Sequence, residues 1–493
     1  MASENSYKNI LKGTSMFGGV QVFQILINWA RGKFVALLLG TEGMGISALF
    51  TSSSNTIQKF ASLGLNLAIV REMAESSKDK DSASNLIGLA LRILIVTALI
   101  GALVCILFAF PLSRLTFGNS DMGWQFMLLG IAVGFGIAGT GILSILQGMH
   151  EVKRLSKASI VGGLTGLFIG VPLYYFYGLK GIVPAMIALS VAMFLFYYIS
   201  LRKSVEIMPF RFSFHEHKPI IYRLIGIGVV LMASDVIGTL ITYGINLFIR
   251  TFGSYDDIGL YQAANSATAQ YSGMVFAAMA MDYFPRLTKA ASNNTLMHSI
   301  VNRQTEIVSL IITPAACLLI LTAPLVIRIL FTKEFIPILP LMRWMGLGIM
   351  FRALLMPMAY ITFAKGNKKV FFYLEGLLGN ILTFSLSCLG FYFFGLIGLG
   401  YALVADNALC IFIYYIVNHR LYNYIFSREA LANMLTAIFI TGSCFAASLI
   451  SNQVAAYSIM SLSFLIAMIW GFLNLRSKLR KPDDKSIESN QEG

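Results

Sequence analysis

Charged side chains are scarce in this chain of 493 residues: Asp, Glu, Lys and Arg make up 12% of it, about half of the roughly 25% found in soluble proteins. So few charges cannot cover a water-facing surface of that size. A soluble enzyme, a nucleic-acid-binding protein and a disordered chain are all excluded. Cysteine is sparse too. Cys105, Cys317, Cys388, Cys410 and Cys444 lie in apolar runs with no CxxC spacing and no nearby His, so no disulfide framework or metal site follows. No G-x-x-x-x-G-K-[ST] occurs, which removes P-loop ATP hydrolysis. Long loops are missing as well: the longest, 203–218, has about 16 residues, leaving no extramembrane domain to carry chemistry. A cleavable leader is not expected, because the first apolar stretch, Phe17 to Leu39, is too long and contains Arg31 and Lys33.

What the chain does have is apolar length. Hydrophobic residues make up 57% and mean hydropathy is +0.74. Runs of about 20 apolar residues recur from end to end, the signature of a polytopic membrane protein. Fourteen spans are read, at approximately 15–39, 43–70, 84–110, 123–148, 157–177, 181–201, 221–250, 257–284, 300–330, 335–364, 369–394, 397–418, 429–450 and 453–475. The expected fold class is all-α, with two pseudo-symmetric six-helix lobes and two C-terminal helices.

Charge orients these spans. With both termini inside, 26 of the Lys and Arg residues fall on the cytoplasmic side and 5 (Arg114, Lys180, Arg250, Arg328, Lys333) on the other. That bias follows the positive-inside rule and supports an even number of crossings, fourteen rather than thirteen or fifteen. It also accounts for the net charge of +14 without a polyanionic partner, and no nucleic acid is expected.

The halves repeat. Gly178-Leu-Lys-Gly181, Ala185, Ala188 and Tyr197-Tyr-Ile199 recur as Gly395-Leu-Ile-Gly398, Ala402, Ala405 and Tyr414-Tyr-Ile416, offset by 217 residues. LQGMHEVKRL after the fourth span parallels TFAKGNKKVF after the tenth, and LLLGTEGMGISALF resembles FIRTFGSYDDIGLYQAA. Six spans per repeat make the repeats parallel, and transporters so built bind substrate between their halves. The domains expected are an N-lobe (1–202), an inter-lobe loop (203–218), a C-lobe (219–420), two additional spans (421–476) and a disordered tail (477–493).

Ionisable groups inside spans cost roughly 2.5–3.5 kcal/mol each at a helix centre, so those present are candidates for function. The bases are Arg31, Lys33, Lys59, Arg92, Arg343 and Arg352; the acids are Asp235, Glu306, Glu375 and Asp406, with Asp282 nearer a helix end. Arg92, close to the cytoplasmic edge, reads as snorkelling. Arg343 and Arg352, about 13 Å apart along one helix, occupy different depths. For Arg31, Lys33 and Lys59 two readings stay open: lining a polar lumen, or pairing with an acid such as Asp235 or Asp406. Either acid could instead carry a coupling proton.

The second span holds Thr51-Ser-Ser-Ser-Asn-Thr56 and Gln58, and its counterpart holds Gln262, Asn265, Ser266, Gln270 and Ser272. Both are read as facing a watery cavity, with interhelical hydrogen bonding as the alternative. His215-Glu-His217 reads as a solvated loop triplet with no metal. The clusters Tyr174–Tyr177 and Phe391–Phe394 read as an interfacial aromatic belt. Pro314, Pro324, Pro337, Pro340 and Pro357 are candidate kinks.

The basic first helix, the LLG-T-E-x-x-G-I turn and the polar second helix ending in LGLNLAIVRE resemble oligosaccharide flippases of Wzx type. These belong to the multidrug/oligosaccharidyl-lipid/polysaccharide exporter superfamily, with multidrug and toxic-compound extrusion (MATE) transporters and the lipid II flippase. The similarity is clearest over residues 8–75. It implies a MATE-like fold, two lobes around a central cavity. It also implies transfer of an undecaprenyl-diphosphate-linked oligosaccharide, for O-antigen, lipopolysaccharide or capsule, from the cytoplasmic to the periplasmic leaflet of the bacterial inner membrane. The family's cationic lumen carries over to Arg31, Lys33 and Lys59; Arg343 and Arg352 join them from composition alone. The implied partners are the polyprenyl-diphosphate-linked oligosaccharide and membrane lipids, with a glycan polymerase and glycosyltransferases acting on the same substrate. No cofactor is implied.

A cation-coupled drug exporter of the same fold is the nearest rival, but its lumen would favour acids where this first lobe is basic. A membrane glycan polymerase or ligase would need catalytic groups on a sizeable outer loop, and the outer loops here are short. The chain is therefore read as a transporter and not an enzyme.

Overall fold

Hydrocarbon offers the backbone no hydrogen-bond partner, so apolar runs in a membrane fold as helices. The computed structural model describes residues 2–76, 80–205, 235–278 and 283–480, and among them every regular element is helical. In chain order these are α1 (Ala2–Ser62), α2 (Leu65–Ser76), α3 (Lys80–Leu107), α4 (Ala109–Phe117), α5 (Gly123–Gly148), α6 (Val152–Tyr177), α7 (Ile182–Ser204) and α8 (235–252). They continue with α9 (Tyr255–Ala278), α10 (Phe284–Lys289), α11 (Asn294–Leu330), α12 (Leu339–Ala364), α13 (Lys368–Phe371), a π-helical turn (Phe372–Gly379), α14 (Asn380–Tyr422), α15 (Arg428–Ala447) and α16 (Gln453–Arg480). Most of the expected inter-lobe loop, the His215-Glu-His217 triplet, the first part of the seventh span, Asp282 and the tail beyond residue 480 lie outside the described residues.

Nine stretches among the described residues are long and apolar enough to cross a membrane. Three of them, Phe23–Ser62, Val152–Ser204 and Lys369–Tyr422, have 40, 53 and 54 residues. At 1.5 Å per residue each is about twice the roughly 30 Å hydrocarbon thickness or more, so each holds two spans. All three break at glycine: at Gly40 (φ 68°, ψ −164°), at Gly178 (φ 54°, ψ −133°) and at Gly395 (φ 61°, ψ −145°). The chain is a multi-pass, all-helical membrane protein.

The internal repeat is visible in backbone detail. Gly178 and Gly395, 217 residues apart, share a left-handed conformation open to glycine. Three residues on, a Cβ on Gly181 would fall 2.2 Å from the Leu173 carbonyl oxygen, and one on Gly398 1.8 Å from that of Gly390. His150 and Gly366, the matched turn positions after the fourth and tenth spans, also have positive φ, 58° and 68°. Tyr174 and Phe391 are both 6% exposed while the three aromatics after each are open. The aromatic belt therefore begins at Tyr175 and at Tyr392, one residue later than the sequence pattern suggests.

Packing divides the chain into two compact units, Met1–Gln262 with Leu330–Glu334, and Ala263–Ile329 with Phe335–Gly493. In the first, Leu65, Ile69 and Met73 of α2 bury against Leu94 of α3, Ile142 and Ile145 of α5, Leu155 of α6 and Leu201 of α7. Gly162 and Gly166 of α6 meet Met193 and Leu189 of α7, a small-xxx-small seam that lets the two antiparallel helices approach closely. In the second, Trp344 of α12 packs on Tyr401 of α14 and Phe445 of α15. Pro314, Pro324 and Pro357 lie inside α11 and α12. The five cysteines are buried.

Two spans differ from the sequence reading. The second is not one helix to residue 70: positive φ at Leu63 (48°) and Gly64 (66°) separates α1 from α2. The third divides at Phe108, between α3 and α4, because Pro111 cannot return a hydrogen bond to Leu107.

Candidate functional site

Arg31 lies on the first arm of α1, nine residues before the break at Gly40. Its half-buried side chain lines a cavity of about 60 Å³ with Ser47 and Thr51 from the second arm, Gly166, Gly170 and Tyr174 from α6, and Ala185 and Leu189 from α7. Among the described residues neither Arg31 nor Tyr174 makes a side-chain hydrogen bond or ion pair. A guanidinium inside an apolar span, without an ion-pair partner among the described residues and with the hydroxyls of Ser47, Thr51 and Tyr174 in the same cavity lining, can bind a small anion, with five N–H donors that match phosphate oxygens. At the position equivalent to Tyr174 the second repeat carries Phe391, equally buried. The hydroxyl belongs to the first repeat alone.

Lys33 does not join this cavity. Two residues along a helix is about 200° around it, and Lys33 is exposed on the other side of α1. Lys59 pairs with Asp235 of α8, one of the two partnerships left open by the sequence. Both side chains keep access to open space, 41% and 57% exposed.

The polar run on the second arm of α1 is split by helical geometry. Ser52, Ser53, Ser54 and Thr56 are buried. Ser52 and Ser53 donate to the Leu49 carbonyl (3.1 and 2.8 Å), Thr56 to that of Ser52 (2.8 Å), and Gln58 Nε2 to Ser54 Oγ (2.9 Å). A buried hydroxyl chain continues from Ser53 through Thr116 of α4 to Tyr243 of α8. Thr51 and Asn55 are exposed, and Gln58 and Lys59, one turn further, are half-buried. The expectation that the whole run faces water is thereby narrowed to one stripe, because the rest satisfies itself inside the bundle.

The remaining ionisable candidates lie in the second unit, except Arg92, which is exposed on α3. Arg343 donates Nη1 to the Ser448 carbonyl at 2.9 Å, just past the last residue of α15, where a cation complements the helix dipole. Arg352 is exposed on α12. Glu306 is buried, ion-paired with Lys478 of α16 and 3.4 Å from Ser427 Oγ. Asp406 is buried and accepts from Thr383 Oγ1 at 2.8 Å. Glu375 sits in the π-helical turn, accepts from the Tyr414 hydroxyl, and its backbone carbonyl takes Asn380 Nδ2 at 3.0 Å. Among the described residues Glu375 and Asp406 form no ion pair.

Sequence reasoning missed Ser47 and Tyr174 as companions of Arg31, and Thr383 and Tyr414 as companions of the acids. Tyr414 carried a signal, its place in the Tyr-Tyr-Ile repeat, whose first copy has Tyr197 bonded to Ser159 at 3.0 Å.

A family described as polysaccharide biosynthesis protein matches residues 34–340 of this chain. The lipid III flippase of Escherichia coli (strain K12) is 20% identical over 351 residues, 70% of this chain and 82% of the relative. Among solved structures, the lipid II flippase MurJ in an inward closed conformation superposes with a TM-score of 0.70 at 14% identity, covering 95% of this chain and 100% of the other. An inward-facing multidrug resistance MATE family transporter of the MOP superfamily gives 0.69 at 17% identity, covering 84% and 96%. The fold is thus of the MATE and MurJ type.

Proposed function

The chain belongs to the polysaccharide biosynthesis protein family, and on that premise we propose that it flips a lipid-linked oligosaccharide, polyprenyl-diphosphate-bound, from the cytoplasmic to the periplasmic leaflet of a bacterial inner membrane. The observation that carries this reading is the Arg31 guanidinium, unpaired among the described residues, in a cavity whose lining includes the hydroxyls of Ser47, Thr51 and Tyr174. The diphosphate is the part of such a substrate that hydrocarbon rejects most strongly. An arginine held in a low-dielectric pocket replaces the water and counterions it must leave behind. The lipid tail stays in the bilayer while the head group and sugars enter the protein.

The cavity is too small for an oligosaccharide, so it serves one phosphate-sized group and the glycan lies outside it. Both termini face the cytoplasm, a placement supported by the 26-to-5 distribution of basic residues. The repeats 1–202 and 219–420 are the bodies that exchange access, in the manner of transporters built from parallel repeats. No covalent step is required, and with no P-loop the drive is an ion gradient or downhill flux. Glu375 and Asp406 are the acids suited to coupling, since Asp235 and Glu306 are already engaged by Lys59 and Lys478. Glycosyltransferases supply the substrate and a glycan polymerase consumes it. Reconstitution with a labelled polyprenyl-diphosphate oligosaccharide tests the reading: transfer between leaflets is expected with the parent chain and is lost with Arg31→Ala.

A further inference from the structure

We infer that Asn55, with the Lys59–Asp235 pair one turn away, forms a sugar-binding rung that recognises hydroxyls of the glycan next to the diphosphate; this rests on the flippase reading above. Thr51, Asn55 and Lys59 are spaced by four residues and so share one face of the second arm of α1. Each rung is about 6 Å from the next, the scale of one sugar ring. Thr51 lines the Arg31 cavity. Asn55 is exposed, flanked by buried Ser54 and Thr56, and makes no hydrogen bond among the described residues.

An amide presented to lipid would leave two donors and an acceptor unsatisfied at a cost of several kcal/mol on transfer scales. This one lies instead on the face that carries the cavity-lining Thr51 at one end and an ion pair at the other. Its own polar group is therefore met by water or by substrate. A carboxamide offers donor and acceptor together, matching adjacent sugar hydroxyls. Asp235 adds acceptors, and one turn on the Thr239 hydroxyl donates to the Asp235 carbonyl at 2.8 Å. Because Asp235 already neutralises Lys59, that lysine is poorly suited to hold a second anion and well suited to donate to a neutral sugar. The division of labour is phosphate at Arg31 and hydroxyls at Asn55, Lys59 and Asp235.

The test uses the full-length chain in lipid nanodiscs and two probes, undecaprenyl diphosphate without sugar and the lipid-linked oligosaccharide pool extracted from the source cells, with binding read by native mass spectrometry. Asn55→Ala and Asn55→Ser are expected to weaken the oligosaccharide lipid about tenfold, the loss of one or two hydrogen bonds, and to leave the sugar-free diphosphate within twofold. Retained diphosphate binding also shows that the variants fold. Parental affinity for both probes, or equal loss of both in the Ala and Ser variants, overturns the inference while the flippase reading stands. If the parent chain binds neither probe, the flippase reading fails and this inference with it.

Discussion

Gly45 and Gly259 meet the backbone of each other's helix starts: a Cβ on Gly45 would fall 2.0 Å from the Tyr255 carbonyl oxygen, and one on Gly259 1.9 Å from the Thr41 carbonyl oxygen. Thr41 and Tyr255 are 214 residues apart, as are Gly45 and Gly259, so the contact is reciprocal between matched turns of the repeat. The Thr41 hydroxyl also donates to Asp256. A backbone carbonyl cannot rotate away, so Gly45→Ala or Gly259→Ala overpacks the crossing at a cost of about 1–3 kcal/mol. Both variants are expected to unfold at lower temperature than the parent. Gly273→Ala on the same helix as Gly259, where a Cβ meets nothing within 4 Å among the described residues, is the control and does not lower it.

Tyr174→Phe removes the one hydroxyl by which this position differs from Phe391 in the other repeat and keeps the packing. It is expected to weaken polyprenyl diphosphate binding several-fold with unchanged thermal stability, measured on the purified protein. An unchanged affinity would mean the phenol plays no part beside Arg31.

Much of the fold was legible from sequence because its causes are local. Apolar length made the spans, and glycine at 40, 178 and 395 marked the reversals. The match of Gly178-Leu-Lys-Gly181 to Gly395-Leu-Ile-Gly398 carried through to paired dihedrals and paired carbonyl contacts. The site was legible only in part. Arg31 stood out by its charge, but Ser47 and Tyr174 look ordinary until packing gathers them. The hydroxyl run read as uniformly wet, because sequence does not say which side of a helix closes against its neighbours. Arg343 read as a lumen base because its partner, the Ser448 carbonyl, is 105 residues away and belongs to the backbone.

Arg343 is accordingly expected to matter for stability and not for binding. Arg343→Ala leaves the end of α15 without its cation, and thermal unfolding should come earlier. Polyprenyl diphosphate affinity should stay within twofold. A selective loss of affinity would restore Arg343 to the substrate path.

Half-buried Lys478 of α16 pairs with buried Glu306 of α11 and with exposed Glu429 of α15. Lys478 is 28% exposed and Glu306 8%, so removing the lysine strands a carboxylate at a cost of about 3 kcal/mol. Lys478→Ala is expected to lower the unfolding temperature, and adding Glu306→Gln to recover much of it. Additive losses in the double variant would show that the two side chains do not depend on each other.

The most direct measurement is leaflet transfer in proteoliposomes of a fluorescent polyprenyl-diphosphate oligosaccharide, compared for the parent, Arg31→Ala and Arg31→Lys at equal reconstituted protein. The account predicts transfer by the parent, its loss in Arg31→Ala, and an intermediate rate for Arg31→Lys, which keeps the charge and loses the planar fork. Parental rates in Arg31→Ala would contradict it.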